Sequence, residues 1–387
     1  MNPQSQLVRS TFRLPNLALA ATLLFGVCAI GSCASDPKSS KSADRESDSP
    51  ASASVFNPRI NTADDWQYET TPGRVFRTNF YTIYTTSSNR AISDRLPVFM
   101  EHALAHYTST LGTLPKPPSS METFIFDNRP QWARMTQRVM GDDAGPYLQI
   151  QRGGFASRGT AVLFDIGVRD TFAIAAHEGW HQYTQQTFRV PLPIWLEEGV
   201  ATYMEGFRWD ALRGRSSAAN DAIQGPLAPP RFTPWYNWER FVTLVRAARA
   251  NRLMPLTELV STSPQDLVDI GGDRALLYYA QVWALTLYLA EGEKGTMRGD
   301  LQTLLQDAAN GAMATKVSSV VGDRAARSSL LRRRGDAVLR TYFAKDAAAM
   351  NEGYMAFVAV IAKPGARQWI AQGQSPVENA PPLRILD

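Results

Sequence analysis

Histidine is scarce in this chain of 387 residues, with four in all, and cysteine is scarcer, with two. Both cysteines, Cys28 and Cys33, lie near the amino terminus. Beyond residue 33 the chain therefore carries no thiol, which excludes a disulfide, a thiolate metal site and a cysteine nucleophile from the body. Charge of one sign is also lacking. The formal net charge is +4, and Arg9 and Arg13 supply part of it in a stretch without acids. The remainder is close to neutral, so no nucleic-acid partner is expected. The run Arg332, Arg333, Arg334 reads as a solvated helix face. Long apolar runs are missing as well: the stretch from Leu17 to Ile30 falls short of the roughly 20 residues that span a bilayer. There is no internal repeat.

What is present at the amino terminus is more specific. Ile30-Gly31-Ser32-Cys33 closes the apolar stretch and resembles the lipobox of bacterial lipoproteins. The resemblance implies a signal peptide over residues 1–32 and a lipid on Cys33, the alternative being an ordinary cleaved signal peptide. Residues 33–60 then read as a tether, because Ala34 to Ser54 contain no aromatic or β-branched residue. Such an anchor implies a bacterial cell envelope location, and Ala34 and Ser35 after the cysteine favour the outer membrane.

The body reads as α+β. Strands are expected at Phe80 to Thr85, Met121 to Phe126, Tyr147 to Gln151 and Thr160 to Asp165, from their aromatic and β-branched content. Helical spacing runs from Ala91 to Leu111, from Asn128 onward, from an Asp170 cap to Thr187, and again from Trp195. Beyond Gly206 no strand is expected. Helices are predicted at Trp238 to Ala250, Arg274 to Ala290, Met297 to Ala309 and Asp323 to Met350. The expected organisation is a mixed lobe over 61–210 and an all-helical lobe over 211–387, with a site between them.

Two of the four histidines stand in His177-Glu178-Gly179-Trp180-His181, an HExxH pattern. Positions i and i+4 of a helix differ by about 40° of rotation, so both imidazoles can meet one ion. Glu178 lies beside them and is placed to hold a water rather than the metal. With no further histidine or cysteine nearby, a third ligand should be a carboxylate. Gly179 costs about 1 kcal/mol relative to alanine in a helix, for which close approach of another backbone is the expected return.

Downstream comes Trp195-Leu196-Glu197-Glu198-Gly199-Val200-Ala201-Thr202-Tyr203-Met204-Glu205. It resembles the W-L-x-E-G-x-A-x-Y-x-E motif of the gluzincin metallopeptidases. The resemblance implies a gluzincin-like fold, a catalytic zinc, and Glu198 as third ligand beside His177 and His181. It also implies that Glu197 fills the variable position and that Glu205 orients a ligand imidazole. Glu205 is about two turns from Glu198 and shares its face. Leu277-Tyr278-Tyr279-Ala280-Gln281-Val282-Trp283 resembles the family's later helix, which makes Tyr279 the candidate oxyanion donor, with Tyr278 behind it. The sixteen residues between His181 and Glu198 are fewer than in thermolysin-like branches and look more like little-characterised bacterial members. No G-x-M-E-N stretch is present, and Arg152 to Ser157 carries no acid, which disfavours an aminopeptidase. The expected activity is a zinc endopeptidase with Glu178 as general base and a peptide or protein substrate. The alternatives are an envelope scaffold with a vestigial metal site, and iron bound by two histidines and a carboxylate. His102 and His106 share the i, i+4 spacing, but without the glutamate or a second motif they read as a partly exposed helix face.

Overall fold

A computed structural model describes residues 59–209, 229–268 and 272–378. Cys33 and nearly all of the tether lie outside the described residues. Among the described residues, no helix is long and apolar enough to cross a membrane.

The first part is a six-stranded sheet in the order β1-β2-β3-β4-β6-β5. Its strands are β1 (Thr62–Tyr68), β2 (Thr71–Arg77), β3 (Tyr81–Thr85), β4 (Met121–Phe126), β5 (Gly154–Ser157) and β6 (Thr160–Phe164). β3, β4 and β6 run parallel, in a register that sets Ile83 beside Thr123 and Phe124 beside Val162. The outer pairs are antiparallel hairpins. Alternation along the strands divides the core. Ile83, Met121, Ile125 and Leu163 face the side covered by the helices Leu96–Tyr107 and Val168–Thr187, whereas Phe126, Val162 and Phe164 face Trp132 on the helix Arg129–Met140.

Several expectations need correction. Tyr147 to Gln151 is no strand: Ala144–Leu148 is a short helix, and the strand before β6 is β5. Tyr147 and Phe155 pack ring on ring, 4.7 Å apart, so the apolar content marks a core contact instead of a strand. The helix of the HExxH pattern, Val168–Thr187, is preceded by Gly167, so Asp170 sits in its first turn and pairs with Arg152 at 2.6 Å. A two-stranded ladder, Phe207–Trp209 with Pro230–Phe232, follows Gly206. The predicted helix from Asp323 to Met350 is three: Asp323–Arg332, Ala337–Phe343 and the start of Ala347–Ile361. Arg333 ends the first of them in the left-handed region, at φ 53°.

Every residue from Thr171 to Thr184 except Ala173 is buried in the HExxH helix, as fits a helix enclosed on all sides. Gln182 ties it to the sheet, donating to the carbonyls of Glu122 (2.6 Å) and Gly159 (2.9 Å) and accepting from Thr123 Oγ1. Pro191 and Pro193 break the chain, and the helix Ile194–Met204 follows, buried at every position. Against it packs Gly272–Glu291, the long helix of the second part. A methyl at Gly199 would come 2.5 Å from Thr286 Oγ1 and 2.8 Å from the Val282 carbonyl oxygen. These two helices therefore meet at backbone distance. Gly179 has a different neighbour from the one expected: a methyl there would meet the Tyr107 hydroxyl at 2.7 Å, a side chain and not a backbone. That hydroxyl donates to the Ala176 carbonyl at 2.6 Å.

Candidate metal centre

Two helices build the cluster, and the proline break turns one back on the other. His177 and His181 come from Val168–Thr187; Glu197 and Glu198 come from Ile194–Met204, and Glu205 caps it. His177, Glu178, His181 and Glu198 are each at most 2 % exposed.

His177 Nδ1 lies 2.8 Å from Glu205 Oε1, and His181 Nδ1 lies 2.9 Å from Glu197 Oε1. An ionised carboxylate can only accept, so each Nδ1 donates, and in the neutral imidazole that a metal requires each Nε2 then presents a lone pair. Those two Nε2 atoms are 3.2 Å apart. Glu198 Oε2 lies 3.4 Å from His177 Nε2 and 3.6 Å from His181 Nε2. His177, His181 and Glu198 thus form a buried group able to hold a metal ion.

The fit can be tested on size and charge. Ligand bonds of about 2.0–2.1 Å in a tetrahedron place neighbouring donors about 3.3 Å apart, which matches the three separations. Four buried carboxylates (Glu178, Glu197, Glu198 and Glu205) face two guanidinium groups, those of Arg240 and Arg333, so a dication would balance the cluster. The titration shifts run the same way. Burial alone would push both imidazoles down, but Glu198, with Glu205 for His177 and Glu197 for His181, more than offsets it and the net direction is up. Burial would raise Glu198, yet His181 and His177 hold it at about 2.

Sequence reasoning missed several supports. Glu197 is no variable bystander: its Oε1 also accepts from Thr184 Oγ1 at 2.7 Å. Arg333, read as a solvated residue, donates from Nε to the Leu192 carbonyl at 2.7 Å and points its other end at Glu197 Oε2, 3.9 Å away. Its own carbonyl accepts from Ile194 N at 2.8 Å, where the glutamate helix begins. Arg240, 3 % exposed, grips Glu205 through Nε and a terminal nitrogen (3.2 and 2.8 Å), with Asn237 at 2.7 Å. Burial would raise Glu205, but Arg240 and His177 hold it at about 2. Adjacency to Glu198 was a usable signal for Glu197; Arg240 and Arg333 lie too far along the chain for any.

Tyr279 stands edge-on to His177, ring centres 6.2 Å apart, with the Arg240 guanidinium 5.0 Å from its own ring centre. Tyr278 is equally buried, and its hydroxyl makes no hydrogen bond among the described residues. Burial raises both phenols, so both keep their protons at neutral pH. His106, expected to be partly exposed, is 5 % exposed and stacks on Phe232, while His102 is half-buried. Neither joins the metal-type cluster.

No family model, curated protein or solved structure matches this chain.

Proposed function

We propose that the chain is a zinc-dependent metallopeptidase of the gluzincin type, an endopeptidase with Glu178 as general base. One observation carries the reading: three donors spaced for a small tetrahedral dication, with a glutamate adjacent in sequence to the first. Zinc at this site would supply Lewis acidity, acidifying water and polarising a scissile carbonyl. Glu178 takes the proton released as water adds to the carbonyl carbon. It returns that proton to the amine as the carbon–nitrogen bond breaks. Glu205 and Glu197 hold the imidazoles with their Nε2 lone pairs convergent. Tyr279 donates a hydrogen bond to the developing oxyanion. The edge strand β5 carries no acid to grip a substrate amine, which supports an endopeptidase. A lipid on Cys33 would hold this body at a bacterial envelope membrane, facing peptide or protein substrates.

A second reading, an envelope scaffold with a vestigial metal site, draws support from the burial of all four groups. The experiment pairs metal analysis with cleavage of a mixed peptide library, for the wild type and Glu178→Gln. One zinc per chain in both, with cleavage by the wild type alone, bears out the peptidase. Zinc in both with cleavage in neither favours the scaffold. Cleavage by the variant at a rate near that of the wild type sinks the mechanism.

A further inference from the structure

Next to the metal centre lies a groove that the peptidase reading does not use. The helices Met313–Val321 and Asp323–Arg332, with the segment from Arg333 to Arg340, line an open groove of about 1230 Å³. Ile194 also lines it, one helical turn before Glu198. From Asp323 to Arg340 the chain carries six arginines against two aspartates. Asp336 pairs with Arg340 at 3.1 Å, and Asp266 pairs with Arg334 at 2.8 Å. Arg332 lines the groove, is exposed and has no ion pair among the described residues; Arg324 and Arg327, on the same helix but outside the lining, are exposed and unpaired in the same sense. Two aliphatic side chains on the groove wall are also uncovered, Leu331 at 72 % and Val320 at 55 % exposure.

We infer that this groove binds an acidic, extended polypeptide segment carrying an aliphatic side chain. Guanidinium groups recognise carboxylates with paired, charge-assisted hydrogen bonds. Exposed leucine and valine beside them need an apolar cover, which a lone small anion does not supply. The concavity selects a chain that enters it, whereas an anionic bilayer would require the same groups on a flat or projecting face. A segment seated here meets Arg333, and through it Glu197 and His181. Binding requires neither metal nor turnover, so the inference stands apart from the proposed activity.

The test uses the full chain carrying Glu178→Gln, so that a bound peptide is not cut. A fluorescent peptide of aspartate and glutamate around a central leucine is titrated by anisotropy, against the same peptide with asparagine and glutamine. The acidic peptide is expected to bind about tenfold more tightly, with affinity falling as salt rises. Arg332→Glu, alone and with Leu331→Ser, changes only exposed side chains and should weaken binding by about tenfold or more. Equal affinity for the two peptides, or equal affinity of parent and variants, overturns the inference. So does binding to phosphatidylglycerol vesicles without binding to the acidic peptide. None of these outcomes bears on zinc content or cleavage by the wild type, which are read separately.

Discussion

The chain holds two helical pairs of histidines at the same spacing, and they come to opposite ends. His102 and His106 lie on Leu96–Tyr107, and His106 is pressed against Phe232, ring centres 5.0 Å apart. No charged group offsets its burial, which pulls the imidazole down to about 3 and keeps it neutral. His177 and His181 are buried as deeply, yet each Nδ1 meets a carboxylate and a third carboxylate faces both Nε2 atoms. All three carboxylates come from one helix and its cap. The i, i+4 spacing aligns two rings; the partner helix decides whether they become a group able to hold a metal ion or part of the core.

The sharpest way to break the comparison is at the residue that the first pair lacks. Glu178→Gln should lower peptide cleavage by about 10²–10⁴-fold while leaving zinc bound, read by turnover alongside metal analysis. His181→Ala removes a donor and should abolish stoichiometric zinc, whereas His102→Ala should retain it; equal metal in the two would dissolve the distinction. Glu205→Gln and Glu197→Gln each leave the donors in place but loosen one ring. A chelator competition should find zinc held about 10–100-fold more weakly. The remaining contrast concerns the first pair and acid, and it touches stability, not activity. The folded His106 takes its proton near pH 3, whereas the unfolded imidazole takes it near 6.5. Between those values the unfolded chain binds more protons, so stability falls as pH falls, by roughly 1.4 kcal/mol per pH unit at the steepest. Denaturant titrations of wild type and His106→Phe across that window should differ by this slope, and parallel curves would refute it.

The fold and the cluster were legible to the extent that their signals were local. HExxH, the proline break and the Glu198 helix each declare themselves within one or two turns, and the two helices fall where periodicity placed them. β1 and β2 were not expected, since Thr62–Tyr68 carries Asp64 and Asp65 on a largely exposed strand without apolar alternation. Tyr147 and the left-handed Arg333 misled in the reverse sense: residue type suggested a strand or a continuous helix, and tertiary contacts decided otherwise. Arg240 grips Glu205 from 35 residues away, and Arg333 reaches Leu192 from 141. No window along the chain could have joined them.

Gly199 carries a consequence for alignment. It separates the helix that carries Glu198 from the helix that carries Tyr279 by less than the width of a methyl group. Their relative position is thus gauged by an empty space, and the error it tolerates is smaller than one carbon atom. Gly199→Ala would leave every polar group of the cluster in the chain and still drive the two helices apart. A carboxylate that shares one focus with two imidazoles has little room to follow such a shift. The spacing of the two helices behind this cluster is thus set by the residue beside Glu198 that has no side chain at all.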